Sequence, residues 1–475
     1  MTPGLGTSKI KRTGSFLLLY RRAVAHWRAI ILLLILARVA FLVASSDEFV
    51  SFELNLFALL LIFIASQVFW IGRIVDLSRW LFPDQPRVRL VVIADLVYLF
   101  VIAYSFPTTF GQGHTFRTAY YGLSNVVFEA VFWWWFVGSM LAFALVVFFG
   151  TVERTTRVAA WAYRKARQST KGRVAAASSG VAEPVSPDRR HFLEQTAVLI
   201  SATPFIAAGY GLLYERQNVE IVRQRIRLAR LPKAFEGFHI AQLSDIHISP
   251  FTTADYIHRC VVITNDLKPD LIALTGDYIA WDTEQQGEVV RTLAGLRARF
   301  GVFGCLGNHE EESGTEESIT RLFTAQGIQI LREARAPIVL GGETLNLIGT
   351  DDPNGQTETD YQGDLHRKLR QIKDLMMPEA VNILLSHGDF PNMFDRVAEL
   401  GIDLMLAGHT HGGQLSLDFV HRGLNLSHLI YDYTSGWYEK NGAQLYVNRG
   451  IGTTGFPIRL GARPEITLLE LTRGV

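Results

Sequence analysis

Five short segments of this chain carry residues whose types and spacing could do chemistry together. Gly408-His409-Thr410-His411-Gly412-Gly413 sets two imidazoles one residue apart between glycines, so the backbone can fold tightly around something small. Four more segments share the design: Ser244-Asp245-Ile246-His247, Gly276-Asp277, Gly307-Asn308-His309-Glu310 and Ser386-His387-Gly388. Asp, His and Asn supply oxygen and nitrogen ligands with no thiolate. That set suits two first-row divalent cations, Mn, Fe or Zn, better than Mg or Ca. Paired ions need one ligand that belongs to both, and a carboxylate with two oxygens can bridge them; Asp277 has that character. Such a pair lowers the pKa of a water and clamps the attacking and leaving oxygens of a displacement at phosphorus. His309 directly follows the ligand type Asn308, so it can face a substrate and donate a proton to the leaving oxygen. Asp-x-His alone is an ordinary surface pair, and Gly-Asp alone is a turn signal. It is the five in order that point to a dinuclear centre. The remaining histidines have no comparable setting and read as structural or surface residues.

Each segment follows a short apolar run: 239–243, 271–274, 302–306, 383–385 and 404–407. Runs of this length read as buried strands. In an open α/β sheet ligands gather at the carboxyl ends of the strands, so loops far apart in sequence are predicted to converge.

The 475 residues hold about three domains' worth of sequence. A net charge of +1 argues against a nucleic-acid partner, which would call for a basic face. The hydrophobic fraction is 49% with a mean hydropathy of +0.18, and the excess lies almost wholly before residue 215. Cys260 and Cys305 are too few for a disulfide framework and read as buried packing.

Apolar stretches near 24–44, 52–71, 88–106 and 126–149 each approach the about 20 residues a helix needs to cross a bilayer. They predict a four-helix transmembrane domain over 1–150. Lys and Arg alternate across its loops: a basic start, a first loop without basic residues, Arg73, Arg79, Arg87 and Arg89 in the second, and only Arg117 in the third. The positive-inside rule therefore places the amino end and the 151–187 segment in the cytoplasm. Arg38, Glu53, Asp95 and Glu129 read as interhelical pairs or interface residues, and Trp133-Trp134-Trp135 as lipid or helix packing. Residues 151–187 read as a basic, flexible linker, with two prolines and an Ala-Ser-Gly run at its end. Over 188–215, Asp188-Arg189-Arg190-His191-Phe192-Leu193 precedes an apolar stretch. It reads as a twin-arginine-like segment or as the basic anchor of an ordinary fifth transmembrane helix. From 231 to 475 the sequence turns to short strands and helices of ordinary polarity.

The 231–475 region resembles the calcineurin-like metallophosphoesterase superfamily, whose pattern is Asp-x-His, Gly-Asp, Gly-Asn-His-Asp/Glu, His and Gly-His-x-His. Its texture is similar to the bacterial membrane-tethered or Tat-exported subgroup, with Leu231-Pro232-Lys233 before the first motif and Tyr446-Val447-Asn448-Arg449-Gly450 near the end. The resemblance implies a four-layer α/β fold of two packed mixed β-sheets flanked by helices. Carried over by position, it implies that Asp245, His247, Asp277 and His411 hold one metal. Asp277, Asn308, His387 and His409 would hold the second, with His309 catalytic. The Arg that follows Gly-Asp in the protein phosphatases of this superfamily is missing from Gly276-Asp277-Tyr278-Ile279-Ala280-Trp281, which speaks against that activity. Arg449 and Arg459 read as substrate contacts or as solvated surface residues.

Together these features predict a membrane-anchored hydrolase that cleaves phosphoesters, diesters in particular, on the extracytoplasmic side. Its partners would be a phosphoester substrate, lipid-linked or not, and membrane lipids. One alternative is cytoplasmic-face cleavage of a UDP-diacylglucosamine-type lipid precursor. Another is a transporter or sensor with a non-catalytic phosphoesterase domain.

Overall fold

The computed structural model describes residues 123–170 and 202–474, apart from 354–357, 389–392, 417, 419–424 and 430, together with 62–67, 69, 70, 94 and 97. The chain divides into two compact units, Met1–Ala103 with Trp135–Ile206 and Tyr104–Trp134 with Ala207–Val475.

In the first unit the predicted span at 24–44 lies outside the described residues, as do Arg38, Glu53 and Asp95, and the 88–106 span is described only at 94 and 97. Residues 62–67, 69 and 70 are helical. They meet the 135–170 part of a long helix through Gln67, whose amide donates to Ser139 Oγ (3.2 Å) and accepts from Trp135 Nε1 (2.9 Å). Trp70 donates to the Ser139 carbonyl (3.1 Å). Small residues let backbones approach and polar side chains tie helices together, as between membrane helices: a Cβ on Gly138 would sit 2.6 Å from the Phe205 ring. Among the described residues one helix, Val126–Lys165, is long and apolar enough to cross a membrane.

That helix runs unbroken over Leu123–Thr170, which corrects the linker predicted to begin at 151. Residues 151–170 contain neither Gly nor Pro and are rich in Ala and Arg, all compatible with helix; their charge resembled a linker without preventing the helix. The rest of the predicted linker and the Arg189-Arg190 pair lie outside the described residues. Residues 202–213 are helical.

Among its described residues the second unit carries twelve strands in two six-stranded sheets. One has the order β1 (Glu220–Leu228), β12 (Glu465–Arg473), β2 (Phe238–Leu243), β3 (Leu271–Thr275), β4 (Val302–Cys305), β5 (Gln329–Ile330). The other runs β10 (Gly436–Lys440), β11 (Ala443–Val447), β9 (Leu404–Ala407), β8 (Val381–Leu385), β7 (Glu343–Gly349), β6 (Ala334–Leu340). Both are mixed: β2 to β5 run parallel while β12 meets β2 antiparallel, and β11, β9, β8 and β7 run parallel while β10 and β6 pair antiparallel at the edges.

Strict alternation in the strands builds the layers. Leu271 and Ala273 of β3 join Val381 and Ile383 of β8 and Leu404 and Leu406 of β9 in a core between the sheets. Ile272 and Leu274 face the helices Ala254–Asp266, Gln286–Leu293 and Glu316–Ala325. Leu384, Met405 and Ala407 face Glu358–Leu375 and Met393–Leu400. Strands apolar on both faces are those covered on both sides, so the predicted four layers are present. β1 lies before residue 231, where the sequence placed the start of this domain, and pairs with β12 along its full length. Its outward positions are arginines, Arg223, Arg225 and Arg227, so this edge strand read as a charge run instead of a strand.

Within the second unit, residues 207–213 of the 202–213 helix pack against the carboxyl-terminal segment. Ala208 and Leu212 are buried, and a Cβ on Gly211 would fall 2.5 Å from the Arg459 carbonyl. Just beyond, Glu215 accepts the Gly461 N–H (2.7 Å), and Arg216 donates to the carbonyls of Leu212 and Phe251.

Candidate metal centre

All five motif loops leave the carboxyl ends of β2, β3, β4, β8 and β9, and they meet. Asp245 with His247 and His411, His247 with Asp277 and His309, and Asp277 with His387 and His409 form three interlocking clusters, each close enough to hold one ion. Asp277 stands in the middle. Its Oδ2 lies 3.3 Å from His247 Nε2, 3.1 Å from His387 Nε2 and 4.0 Å from His309 Nε2. Its Oδ1 accepts the His309 backbone N–H (3.0 Å). A single oxygen, instead of the two oxygens expected from sequence, therefore faces both imidazole groups.

The ring nitrogens converge in pairs. His247 Nε2 and His411 Nε2 are 3.0 Å apart, and His409 Nδ1 and His387 Nε2 are 3.3 Å apart. Among the described residues, His247 Nδ1 and Asn308 Oδ1 are buried without a hydrogen-bond partner. Converging lone pairs of this kind fit divalent cations. Burial pushes His247 and His411 well below the usual imidazole range, and burial with the neighbouring His387 takes His409 down to about 3. Burial opposes protonation of His387 too, but Asp277 outweighs it and holds that ring well above its usual value. Burial would likewise raise Asp277, yet His387, His309 and His247 hold it well below the carboxylate range.

Groups outside the clusters orient these side chains, as around metal-ligating residues generally. The Thr275 carbonyl lies 2.7 Å from His387 Nδ1, so that nitrogen donates and Nε2 turns to Asp277. Tyr431 Oη lies 3.2 Å from His409 Nε2. The Ala280 carbonyl takes the proton of His309 Nδ1, which leaves Nε2 toward the site, 3.5 Å from Thr454 Oγ1. The Trp281 ring packs 4.3 Å from the His309 ring.

Five of the motif residues sit in the left-handed region: Asp245 (φ 50°), His247 (φ 45°), Asp277 (φ 55°), His409 (φ 71°) and His411 (φ 52°). Residues with a Cβ visit it at a cost of roughly 1–2 kcal/mol each, and such strain gathers at functional sites. Two glycines permit the close approach. A Cβ on Gly408 would lie 1.9 Å from Ser244 Oγ, and one on Gly307 2.2 Å from Asp277 Oδ1.

Sequence reasoning missed the residue that locks the loops. Glu310 is fully buried, and its carboxylate accepts four backbone N–H groups: Asp277 (3.1 Å), Tyr278 (2.8 Å), Ile279 (3.1 Å) and Gly307 (3.0 Å). Burial and the Asp277 charge push its carboxyl up to about 7, against the pull of those donors. Its place in Gly-Asn-His-Glu was the only signal. Arg459 is not a solvated surface residue, and Arg449 is only partly exposed. Arg459 is fully buried, donates to the carbonyls of Arg449, Gly452 and Ala462, and lies 3.0 Å from His411 Nδ1. Arg449 pairs with Glu465 (2.5 Å) and Glu220 (2.8 Å). Both serve to hold the carboxyl-terminal loop against the site.

Replacing Glu310 tests the lock. Glu310→Ala leaves four buried donors unpaired, and bonds to a charged acceptor contribute about 1.5–3 kcal/mol each without adding fully. A loss of roughly 3–5 kcal/mol is expected, with Glu310→Gln intermediate because one oxygen survives. Thermal unfolding of the purified full chain, with metal content measured on the same samples, reads both. An unchanged midpoint in Glu310→Ala would remove the lock from this account.

Residues 238–413 match the family model described as calcineurin-like phosphoesterase. The uncharacterized metallophosphoesterase YkuE of Bacillus subtilis is 32% identical over 289 residues, covering 60% of this chain and 97% of that protein. Phosphodiesterase YaeI of Escherichia coli is 29% identical over 290 residues, covering 60% of this chain and 98% of its own length. A transmembrane protein with metallophosphoesterase domain from Danio rerio is 28% identical over 284 residues, covering 58% of this chain and 62% of that protein. With its five motifs converged on one buried Asp/His centre, the chain belongs to the calcineurin-like phosphoesterase family and is a metal-dependent phosphoesterase that uses two divalent ions.

Proposed function

We propose that this protein is a membrane-anchored phosphodiesterase whose lipid-linked substrate reaches the centre on the extracytoplasmic face. The observation that carries the site assignment is the sharing of Asp277 Oδ2 between imidazoles from β2 and β8 loops. Asp245, His247, Asp277 and His411 would hold one ion, and Asp277, Asn308, His387 and His409 the other, with Mn, Fe or Zn the natural fits. When bound, two such ions lower the pKa of a water and neutralise charge developing at phosphorus. The chain's own residues do the rest. His309, held by the Ala280 carbonyl and packed at a tilt against the Trp281 ring, keeps Nε2 on the site and donates a proton to the leaving oxygen. Glu310 and the Asp245 carboxylate, which accepts the His409 N–H (3.0 Å), hold the loops in register so that the donor set needs little rearrangement.

The lipid reading rests on a cleft of about 60 Å³ that Trp281 and Thr454 share with Phe251, Phe456, Glu129 and Trp133. Trp133 and Glu129 belong to the helix long and apolar enough to cross a bilayer, and the Trp133 ring lies 5.7 Å from Phe456. An aromatic wall continuous with such a helix suits an acyl chain beside the phosphoester. The diester reading is supported by the name of the Escherichia coli relative, and the anchor by that of the Danio rerio one. Spans over 1–150 and within 188–215, followed by the catalytic domain, would place the latter outside the cytoplasm.

The full chain with Mn²⁺ should hydrolyse bis(p-nitrophenyl) phosphate and lose activity to chelator. Asp277→Ala should be the most damaging ligand change, because losing the shared oxygen disturbs both ions. Activity indifferent to chelation, or Asp277→Ala milder than His409→Ala, would count against the shared-ligand arrangement.

His309 lies near enough to His247 and Asp277 to serve as a ligand instead, so its role needs its own measurement. As a proton donor, His309→Ala should keep both ions and lower kcat by about 10²–10⁴-fold on a poor leaving group. The defect should shrink on nitrophenyl esters, which need little protonation. Loss of bound metal, or equal slowing on both substrates, would assign His309 to the metals.

Sidedness is settled by fusing a periplasm-dependent alkaline phosphatase after Val475. An active fusion is expected; an inactive one, paired with a fluorescent cytoplasmic reporter at the same position, would favour the lipid-precursor reading on the cytoplasmic face.

A further inference from the structure

The cleft that Trp281 and Thr454 share beside His309 has two walls from distant parts of the chain. One is the loop that follows the Asp245-Ile246-His247 motif, which contributes Ser249 and Phe251; the other is the carboxyl-terminal tail over 453–457. Within the loop, Ser249 and Thr252 exchange backbone N–H bonds of 3.1 Å each, so Phe251 stands inside a tight turn. The Phe251 carbonyl takes its bond from outside that turn.

The bond comes from Arg216, in the short turn Glu215–Gln217 just beyond the 202–213 helix. Arg216 Nη1 donates to the Phe251 carbonyl, its Nε donates to the Leu212 carbonyl in the last helical turn, and its guanidinium carbon lies 5.7 Å from the centre of the Phe251 ring. One planar group thus holds both the backbone and the ring of Phe251. A guanidinium presents its donors in a fixed fork, so it sets the separation of the two carbonyls, which a single movable ammonium would not. The same helix end reaches the other wall. Glu215 accepts the Gly461 N–H (2.7 Å), and Gly211 admits the Arg459 carbonyl. None of the residues from 207 to 217 lines the cleft itself.

We propose that Arg216 is a positioning residue that sets which alcohol of a diester is released: by fixing Phe251, it keeps the cleft shaped for an apolar chain on the alcohol that leaves beside His309. The proposal rests on the phosphodiesterase reading above and adds the residue that governs its specificity. His309 Nε2 lies 3.5 Å from Thr454 Oγ1 at the edge of the cleft, and Trp281 packs on the same ring. An apolar leaving alcohol on that side would meet Trp281, Phe456 and Phe251. Burial of each methylene against that wall favours the longer chain, and the gain depends on the wall standing where Arg216 holds it.

Ethyl hexyl phosphate carries two alcohols of nearly equal leaving ability, so the ratio of hexanol to ethanol released by the full chain with Mn²⁺ reads the cleft. Hexanol should exceed ethanol by about tenfold, which is about 1.4 kcal/mol and the burial of about two methylenes. Arg216→Ala should bring the ratio close to one, and Arg216→Lys should fall between. Phe251→Ala should match Arg216→Ala, with the double variant no lower than either. Both products come from the same enzyme molecules, so the ratio is indifferent to how much of a variant folds or binds metal; where Arg216→Ala is inactive, Arg216→Lys carries the comparison. Three results overturn the proposal and leave the phosphodiesterase reading intact: a ratio near one in the unaltered protein, a ratio that the Arg216 or the Phe251 substitution leaves unchanged, or a double variant clearly below Phe251→Ala. If the unaltered protein releases neither alcohol, that reading fails instead, and calorimetric titration with hexyl phosphate against ethyl phosphate still reads the cleft. Tighter binding of hexyl phosphate that Arg216→Ala removes supports the proposal; equal affinities, or a preference that survives, end it.

Discussion

The carboxylate of Glu310 reaches back from the β4 loop and collects the N–H groups of Asp277, Tyr278, Ile279 and Gly307. Two loops that leave neighbouring parallel strands are thereby fixed to each other around one buried charge. Everything at the centre depends on this, because Asp277 occupies a left-handed conformation that an unsupported loop would relax. With its backbone pinned, Asp277 can present Oδ2 to both imidazole groups while Oδ1 is occupied by His309.

Burial then sharpens the chemistry. Removal from water disfavours a charged imidazole, and neighbouring histidines repel a further proton, so His247, His409 and His411 are held neutral. Ring nitrogens converge in pairs at 3.0 and 3.3 Å, His247 with His411 and His409 with His387. The fold has gathered these nitrogens and carboxylate oxygens closely enough to hold cations, and metal binding at such a centre contributes to the stability of the folded state as well as to its chemistry.

The carboxyl-terminal segment and the helix at 202–213 share a second anchor. Arg459 fills the space between the His411 loop and the carbonyls around Gly452, and its own backbone carbonyl packs against Gly211. A buried guanidinium with all its donors engaged is a rigid spacer. It carries the end of an apolar helix to the back of a metal ligand without entering the site.

Much of the centre was legible in the chain. Residue types and their order along it are local properties, and a short apolar strand ending in Asp, Asn or His states both the chemistry and the end of the sheet where it acts. Layering followed from the same runs, since strands apolar at every position must be covered on both faces. Orientation was not legible. That Asp277 uses one oxygen, that Glu310 faces inward to four N–H groups, and that Arg459 is buried beside His411 depend on which side chains the packing brings opposite one another. β1 escaped notice because its solvent-facing arginines obscure an alternation that only pairing with β12 explains. The cleft beside His309 has no motif at all: its walls come from the loop after β2, from Trp281 and from the carboxyl-terminal tail, and only tertiary contact brings those scattered residues together. Short-range pattern decides what a residue can do, and long-range packing decides what it faces.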